Sequence, residues 1–128
     1  MGICQKKFGP YYWGTLHLAC LYSTDTGAVK ALVDSYLGTL PCPACRGHFS
    51  QVLEQFPFPT DGTQSDIFKW SVVVHNIVSA RLGKTQMSVE DALDVWTSGC
   101  EPEDAIFDFK FWLMLVILFG LMVFLFRK

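Results

Sequence analysis

The sequence lacks most of what would make a function easy to guess. It has no basic stripe: Lys and Arg total 10 against 12 Asp and Glu, for a net charge of −2. A nucleic-acid partner needs concentrated cations along one face, so none is expected. Cysteine is scarce. Five thiols (Cys4, Cys20, Cys42, Cys45 and Cys100) are too few for a disulfide-knit scaffold, and the odd count leaves at least one free or paired between chains. There is one Cys-x-x-Cys pair and no second one, nor a close histidine pair. A four-ligand zinc site would have to be assembled from Cys42, Cys45, His48 and a distant His75, and no metal is expected. The start, "MGICQKKFGPYYW", has no apolar run, so no signal peptide is expected. Strand patterning and internal repeats are also missing.

What remains is helical. "PYYWGTLHLACLYS" starts on Pro10, which suits a first turn, and Trp13, Leu16, His17 and Cys20 share one face. "AVKALVDSYLGTL" carries a stripe of Val29, Leu32, Val33, Tyr36 and Leu37 and stops at Pro41. A third helix begins at Cys42 or Pro43, runs to about Gln55, and should bury Phe49, Val52, Leu53 and Phe56. "SDIFKWSVVVHNIVSARLGK" is the longest, capped by Ser65 or Asp66 and ended by Gly83. "SVEDALDVW" opens on a Ser88–Asp91 capping pattern. The expected fold is all-α: a four-helix bundle with a short fifth helix. Expected boundaries are a domain over residues 1–100, an acidic linker over 101–110, and a tail over 111–126.

That tail, "FWLMLVILFGLMVFLF", is sixteen residues without a charge. It is read as a C-terminal transmembrane helix anchoring the protein to a membrane by a single span, with a buried core helix as the alternative. Sixteen residues rise only about 24 Å, short of the roughly 30 Å hydrocarbon core. The anchored reading therefore requires neighbouring apolar residues and a snorkelling Lys110.

The stretch "LPCPACRGHF" carries the chemistry. Cys42 falls at a helix N-terminus, where unpaired N–H groups and a partial positive charge stabilise a thiolate, with Cys45 one turn inside. A thioredoxin fold would need strands around the pair, and none precedes it. A reversible redox pair, a partial zinc site and a small structural staple all remain open on these residues alone. Thiol oxidation releases two electrons and reacts slowly with O2 directly, so a redox pair calls for an electron-accepting cofactor.

Three stretches, "GPYYWGTLH", "LPCPACRGHF" and "FKWSVVVHNIVSARLGK", in this order and spacing, resemble the Erv/ALR sulfhydryl oxidases, small FAD-dependent enzymes, over about Phe8 to Trp96. The match is to Gly-x3-Trp-x3-His, then Pro-Cys-x-x-Cys, then His-Asn-x-Val with Leu-Gly-Lys downstream. The resemblance implies a helical bundle holding FAD and a flavin-dependent thiol oxidase. Such an enzyme makes disulfides in protein substrates and passes electrons to O2, giving H2O2. It implies Cys45 as the cysteine next to the flavin and Cys42 as the one substrate thiolates attack. It implies cofactor contacts from Gly9, Trp13, His17, Cys45, His75, Asn76, Ser79, Lys84 and Trp96. The competing reading is a membrane-anchored zinc-binding or scaffold module without turnover.

Two departures from the family pattern stand out. Ser79 occupies a position that is often Asn. A structural disulfide of many cellular members, with sixteen residues between its cysteines, falls here on Val72 and Val89 and is absent. Short members with these traits resemble those of large cytoplasmic DNA viruses, which would place the protein in virion or host cytoplasmic membranes. Cys4 and Cys100 flank the domain as candidates for a shuttle or an intersubunit disulfide. Cys20 lies on the inward stripe of the first helix and is expected to be inert. The resemblance further implies a homodimer through the first helices and a thioredoxin-like or Cys-rich thiol protein as substrate.

Overall fold

The computed structural model describes residues 5–98 and 103–126. The chain divides into two compact units, Met1–Trp96 and Thr97–Lys128. The first unit is a bundle of four helices with a short fifth: α1 (Gln5–Tyr22), α2 (Thr26–Thr39), α3 (Pro43–Gln55), α4 (Gln64–Arg81) and α5 (Val89–Thr97).

Helices α2 to α5 each begin where a side chain satisfies a free N–H group. Asp25 Oδ1 accepts from the Ala28 amide at 2.9 Å and starts α2. At α4, Thr63 Oγ1 accepts from the Asp66 amide, and Asp66 Oδ2 accepts in return from the Thr63 amide at 3.0 Å, a reciprocal capping box. Ser88 Oγ accepts from the Asp91 amide at 3.0 Å ahead of α5. Helix α1 begins at Gln5, five residues before the expected start, and takes Pro10 into its interior. The α4 cap is Thr63 rather than Ser65 or Asp66; Asp66 serves it from the third helical position.

The core forms from the inward stripes. Leu16, Cys20, Val29, Val33, Tyr36, Phe49, Val52, Ile67, Phe68, Val72, Val74 and Ala92 are all buried. Phe56 departs from its expected burial: it sits at the C-cap of α3, past the last inward turn, and is 41% exposed. Val72 is buried and Val89 partly buried, so the positions without the structural disulfide are filled by apolar packing. Helices α1 and α4 make the most extensive interhelical contact, and the site lies along it.

The second unit contains α6 (Glu103–Phe126). The transmembrane helix expected there is corrected. Among the described residues no helix is long and apolar enough to cross a membrane. The physical reason is length. The uncharged run rises about 24 Å against a core of about 30 Å, and extending it backwards meets Lys110 and Asp108 within four residues. The membrane partner expected from that helix is withdrawn with it.

Candidate functional site

Two stripes at four-residue spacing face each other across the α1–α4 contact. Helix α1 offers Gly9, Trp13 and His17; helix α4 offers Ser71, His75 and Ser79. The four-residue interval keeps each set on one face of its helix. Trp13 stacks on His75, with ring centroids 4.2 Å apart and planes 10° from parallel. Trp96 of α5 lies against His17, centroids 5.5 Å apart. That approach depends on Gly14, because a Cβ there would stand 3.2 Å from the Trp96 ring.

Behind the aromatic layer is a polar chain. His17 Nδ1 is 2.9 Å from Ser71 Oγ, and His17 Nε2 is 2.9 Å from His75 Nδ1. Ser71 Oγ–H donates to the Phe68 carbonyl at 2.7 Å. Burial, and secondarily the neighbouring His75, pushes the His17 ring down from 6.5 to about 4. Burial, followed by the Lys84 charge, brings His75 down to about 4 as well. Both rings are therefore neutral at physiological pH.

In front of that layer opens a cleft of about 370 Å³. Its lining is largely aromatic and aliphatic, with Phe8, Trp13, Tyr36, Phe49 and Trp96 among its walls. Polar groups are few: Gln5, His48, His75, Ser79, Arg81 and Lys84. Gly83 takes φ +65, a left-handed conformation, and ends α4. The turn brings the Lys84 amide back to the Ser79 carbonyl at 2.8 Å, which fixes where the Lys84 backbone leaves the helix.

Cys42 and Cys45 are joined as a disulfide, with Cα atoms 5.1 Å apart. Cys42 is the N-cap of α3, and its Sγ accepts from the Cys45 amide at 3.2 Å. Only Cys45 lines the cleft; Cys42 lies outside it and is half-buried. The Gln5 side-chain amide donates to Cys45 Sγ at 3.1 Å. Arg46 donates to the Leu40 carbonyl and ties down the turn that leads into Cys42.

Of the residues expected at the site, the cleft wall gathers Gly9, Trp13, Cys45, His75, Ser79, Lys84 and Trp96. His17 stands behind it, 2% exposed, against the rings of Trp13 and Trp96, and is hydrogen-bonded to the wall through His75. Asn76 turns to the α4–α5 connection instead. Its Nδ2 donates to the Met87 carbonyl at 2.7 Å and its Oδ1 accepts from the Met87 amide at 3.0 Å. Cys20 is buried and unbridged, and desolvation raises its thiol to about 11. Cys4 and Cys100, the shuttle or intersubunit candidates, lie outside the described residues.

The sequence gives no site role to Gly14 or Ser71, and places Tyr36 only on the inward stripe of α2. Tyr36 Oη donates to the Tyr12 carbonyl at 2.8 Å, beside the cleft. The available signals were a glycine inside an amphipathic helix and a serine one turn before a histidine. Neither has a meaning until the partner helix is in place.

Residues 10–97 match the model of the Erv1 / Alr family. The chain belongs to that family. This Erv1/Alr chain is 30% identical to a putative FAD-linked sulfhydryl oxidase of frog virus 3, over 70% of its own length and 65% of the relative's. It is 28% identical to an FAD-linked sulfhydryl oxidase of African swine fever virus, over 70% of this chain and 79% of that one. A rice (Oryza sativa subsp. japonica) FAD-linked sulfhydryl oxidase is 41% identical over 64% of this chain and 45% of its own. Among solved structures, a cysteine-to-serine mutant of Erv1 from Saccharomyces cerevisiae superposes with a TM-score of 0.67. It is 18% identical, and the match covers 77% of this chain and 88% of that one. At that identity the likeness speaks for the all-helical fold alone.

Proposed function

We propose that the protein is an FAD-linked thiol oxidase that makes disulfides in protein substrates. The observation that carries the reading is the placement of one sulfur of a disulfide, Cys45, in the wall of an aromatic cleft, while its partner Cys42 lies outside. The lining suits the cofactor's chemistry: flat aromatic walls for planar rings, neutral imidazole and hydroxyl groups for hydrogen bonds, and Lys84 and Arg81 for a diphosphate. Gly9, Trp13, His75, Ser79, Lys84 and Trp96 would hold FAD directly. His17 would act through His75, and Asn76 by tying down the Met87 segment.

Electron flow then runs inward. A substrate thiolate attacks Cys42 Sγ, the Cys42–Cys45 bond breaks, and Cys45 leaves as a thiolate. A second substrate thiol resolves the mixed disulfide and releases the oxidised substrate. The first turn of α3 stabilises Cys42 as a thiolate, and the Gln5 amide gives Cys45 a hydrogen-bond donor. When bound, FAD would supply the acceptor for the electron pair, with O2 as the final oxidant, so that two thiols and O2 yield one disulfide and H2O2. The substrate class is a thiol protein of thioredoxin-like or Cys-rich character. A homodimer through α1 is favoured by its outer face, where Tyr11 is 76% exposed and Leu18 and Tyr22 are exposed on the same stripe.

The test is direct. Purified protein should be yellow, with a flavin absorbance band, and should consume O2 with a dithiol substrate. A Cys45→Ser variant should keep the band and lose the O2 consumption. Colourless protein, or undiminished turnover in Cys45→Ser, would sink the reading.

A further inference from the structure

Ser71 is fully buried at 0% exposure, one turn before His75, and no motif assigns it a role. Its hydrogen bonds leave no freedom in how protons are arranged. The Phe68 carbonyl can only accept, so the proton between it and Ser71 belongs to the hydroxyl. That spends the only proton of Ser71, which must then accept from His17; Nδ1 of His17 carries the proton. A neutral imidazole has one N–H, so His17 Nε2 is bare. The proton in the 2.9 Å contact to His75 therefore sits on His75 Nδ1. It follows that His75 Nε2 is bare as well. Cys20 does not disturb the order. It neighbours Ser71, and burial raises its thiol while the hydrogen bond with Ser71 lowers it; the thiol stays protonated at neutral pH, and with the hydroxyl proton on the 2.7 Å bond to the Phe68 carbonyl it can donate to the hydroxyl's remaining lone pair.

We propose that Ser71 is a positioning residue whose hydroxyl fixes the tautomers of both histidines, so that His75 presents the cleft with an unprotonated Nε2 that selects a ligand N–H donor. The hydroxyl touches no ligand. It sets the direction of a three-bond relay that starts at a helix carbonyl and ends at the cleft wall, and both rings are buried enough to stay neutral while it operates. The ligand chemistry is the amine or imide N–H of a nucleotide base or flavin ring, so this part rests on the FAD reading above. Removing the hydroxyl frees His17 to move its proton to Nε2. His75 would then accept at Nδ1 and show the cleft an N–H instead of a lone pair.

The experiment is nitrogen-15 NMR of histidine-labelled full-length protein, which reports directly which ring nitrogens carry protons. Wild type should show both His17 and His75 protonated at Nδ1 and bare at Nε2. Ser71→Ala should shift both rings toward the other tautomer, and Ser71→Thr should restore the wild-type pattern. FAD affinity, read by fluorescence titration, should fall roughly tenfold in Ser71→Ala and recover in Ser71→Thr. ADP and FMN titrated separately assign the N–H to the adenine amine or the flavin imide. A wild-type ring protonated at Nε2 overturns the proposal, even if Ser71→Ala does not fold. So do rings unchanged in a folded Ser71→Ala. Wild-type tautomers as stated in a protein with no FAD affinity overturn the cofactor reading and leave the relay standing.

Discussion

Acid should destabilise this domain well above the pH at which carboxylates protonate. The cause is the His17–His75 pair. In the unfolded chain each ring titrates near 6.5; in the folded one both are held near 4. Between those values the unfolded state binds more protons, so stability rises with pH across the window and is lost as pH falls through it. A shift of about 2.5 units corresponds to roughly 3 kcal/mol for one ring fully withdrawn from water. His17 is nearly that; His75 borders the cleft and its share is screened. The rings share one hydrogen bond, so their costs do not simply add, and the pair contributes about 3 kcal/mol or more but less than twice the single-ring figure. Against a typical domain stability of about 5–15 kcal/mol that is a large fraction. The Asp66 carboxyl, lowered by its bonds to Thr63, loses its effect only below the usual carboxylate range and so stays outside the window. The assay is urea unfolding at constant ionic strength at half-unit steps from pH 7.5 to 4.5. The midpoint should fall steadily below pH 6.5, and a His17→Phe, His75→Phe double variant, if folded, should lose most of that slope. A flat midpoint in wild type, or an unchanged slope in the double variant, would refute the argument.

Three further outcomes follow from the packing. Gly14→Leu should push Trp96 off His17, because even a Cβ stands 3.2 Å from the ring; the expected result is a red-shifted Trp fluorescence and a stability loss of about 1–3 kcal/mol. Asn76→Ala should cost about 1–2 kcal/mol and speed hydrogen exchange at the Met87 amide, since both bonds to Met87 are lost. Cys20 should resist iodoacetamide at pH 8 in the folded protein and react after unfolding, because burial holds its thiol near 11 and out of contact with solvent.

The bundle was legible because its helices announce themselves twice, by periodic apolar residues and by caps. Leu16, Val33 and Phe49 fell on the inward stripes as their spacing required. The start of α1 was not legible, since Pro10 reads as a first-turn residue although the second turn of a longer helix also holds it. The site divides in the same way. Trp13, His75 and Cys45 could be found from motifs because each motif keeps its own spacing along the chain. Ser71 and Gly14 could not, because their meaning depends on which side chain arrives from another helix. The tail shows the opposite failure. Sixteen apolar residues invited a membrane reading that composition encouraged and length did not support.

Cys42 caps α3 with the same sulfur that would meet substrate. The first turn of that helix is thus held by an atom whose bonding changes with oxidation state, and the chemistry has a mechanical readout in the backbone. This bears on how the cysteine is removed experimentally. Serine supplies an oxygen where the sulfur accepts the Cys45 amide, so Cys42→Ser subtracts the redox function and keeps the latch. Alanine removes both at once, and a loss seen with Cys42→Ala would report a loosened helix as readily as a missing thiol.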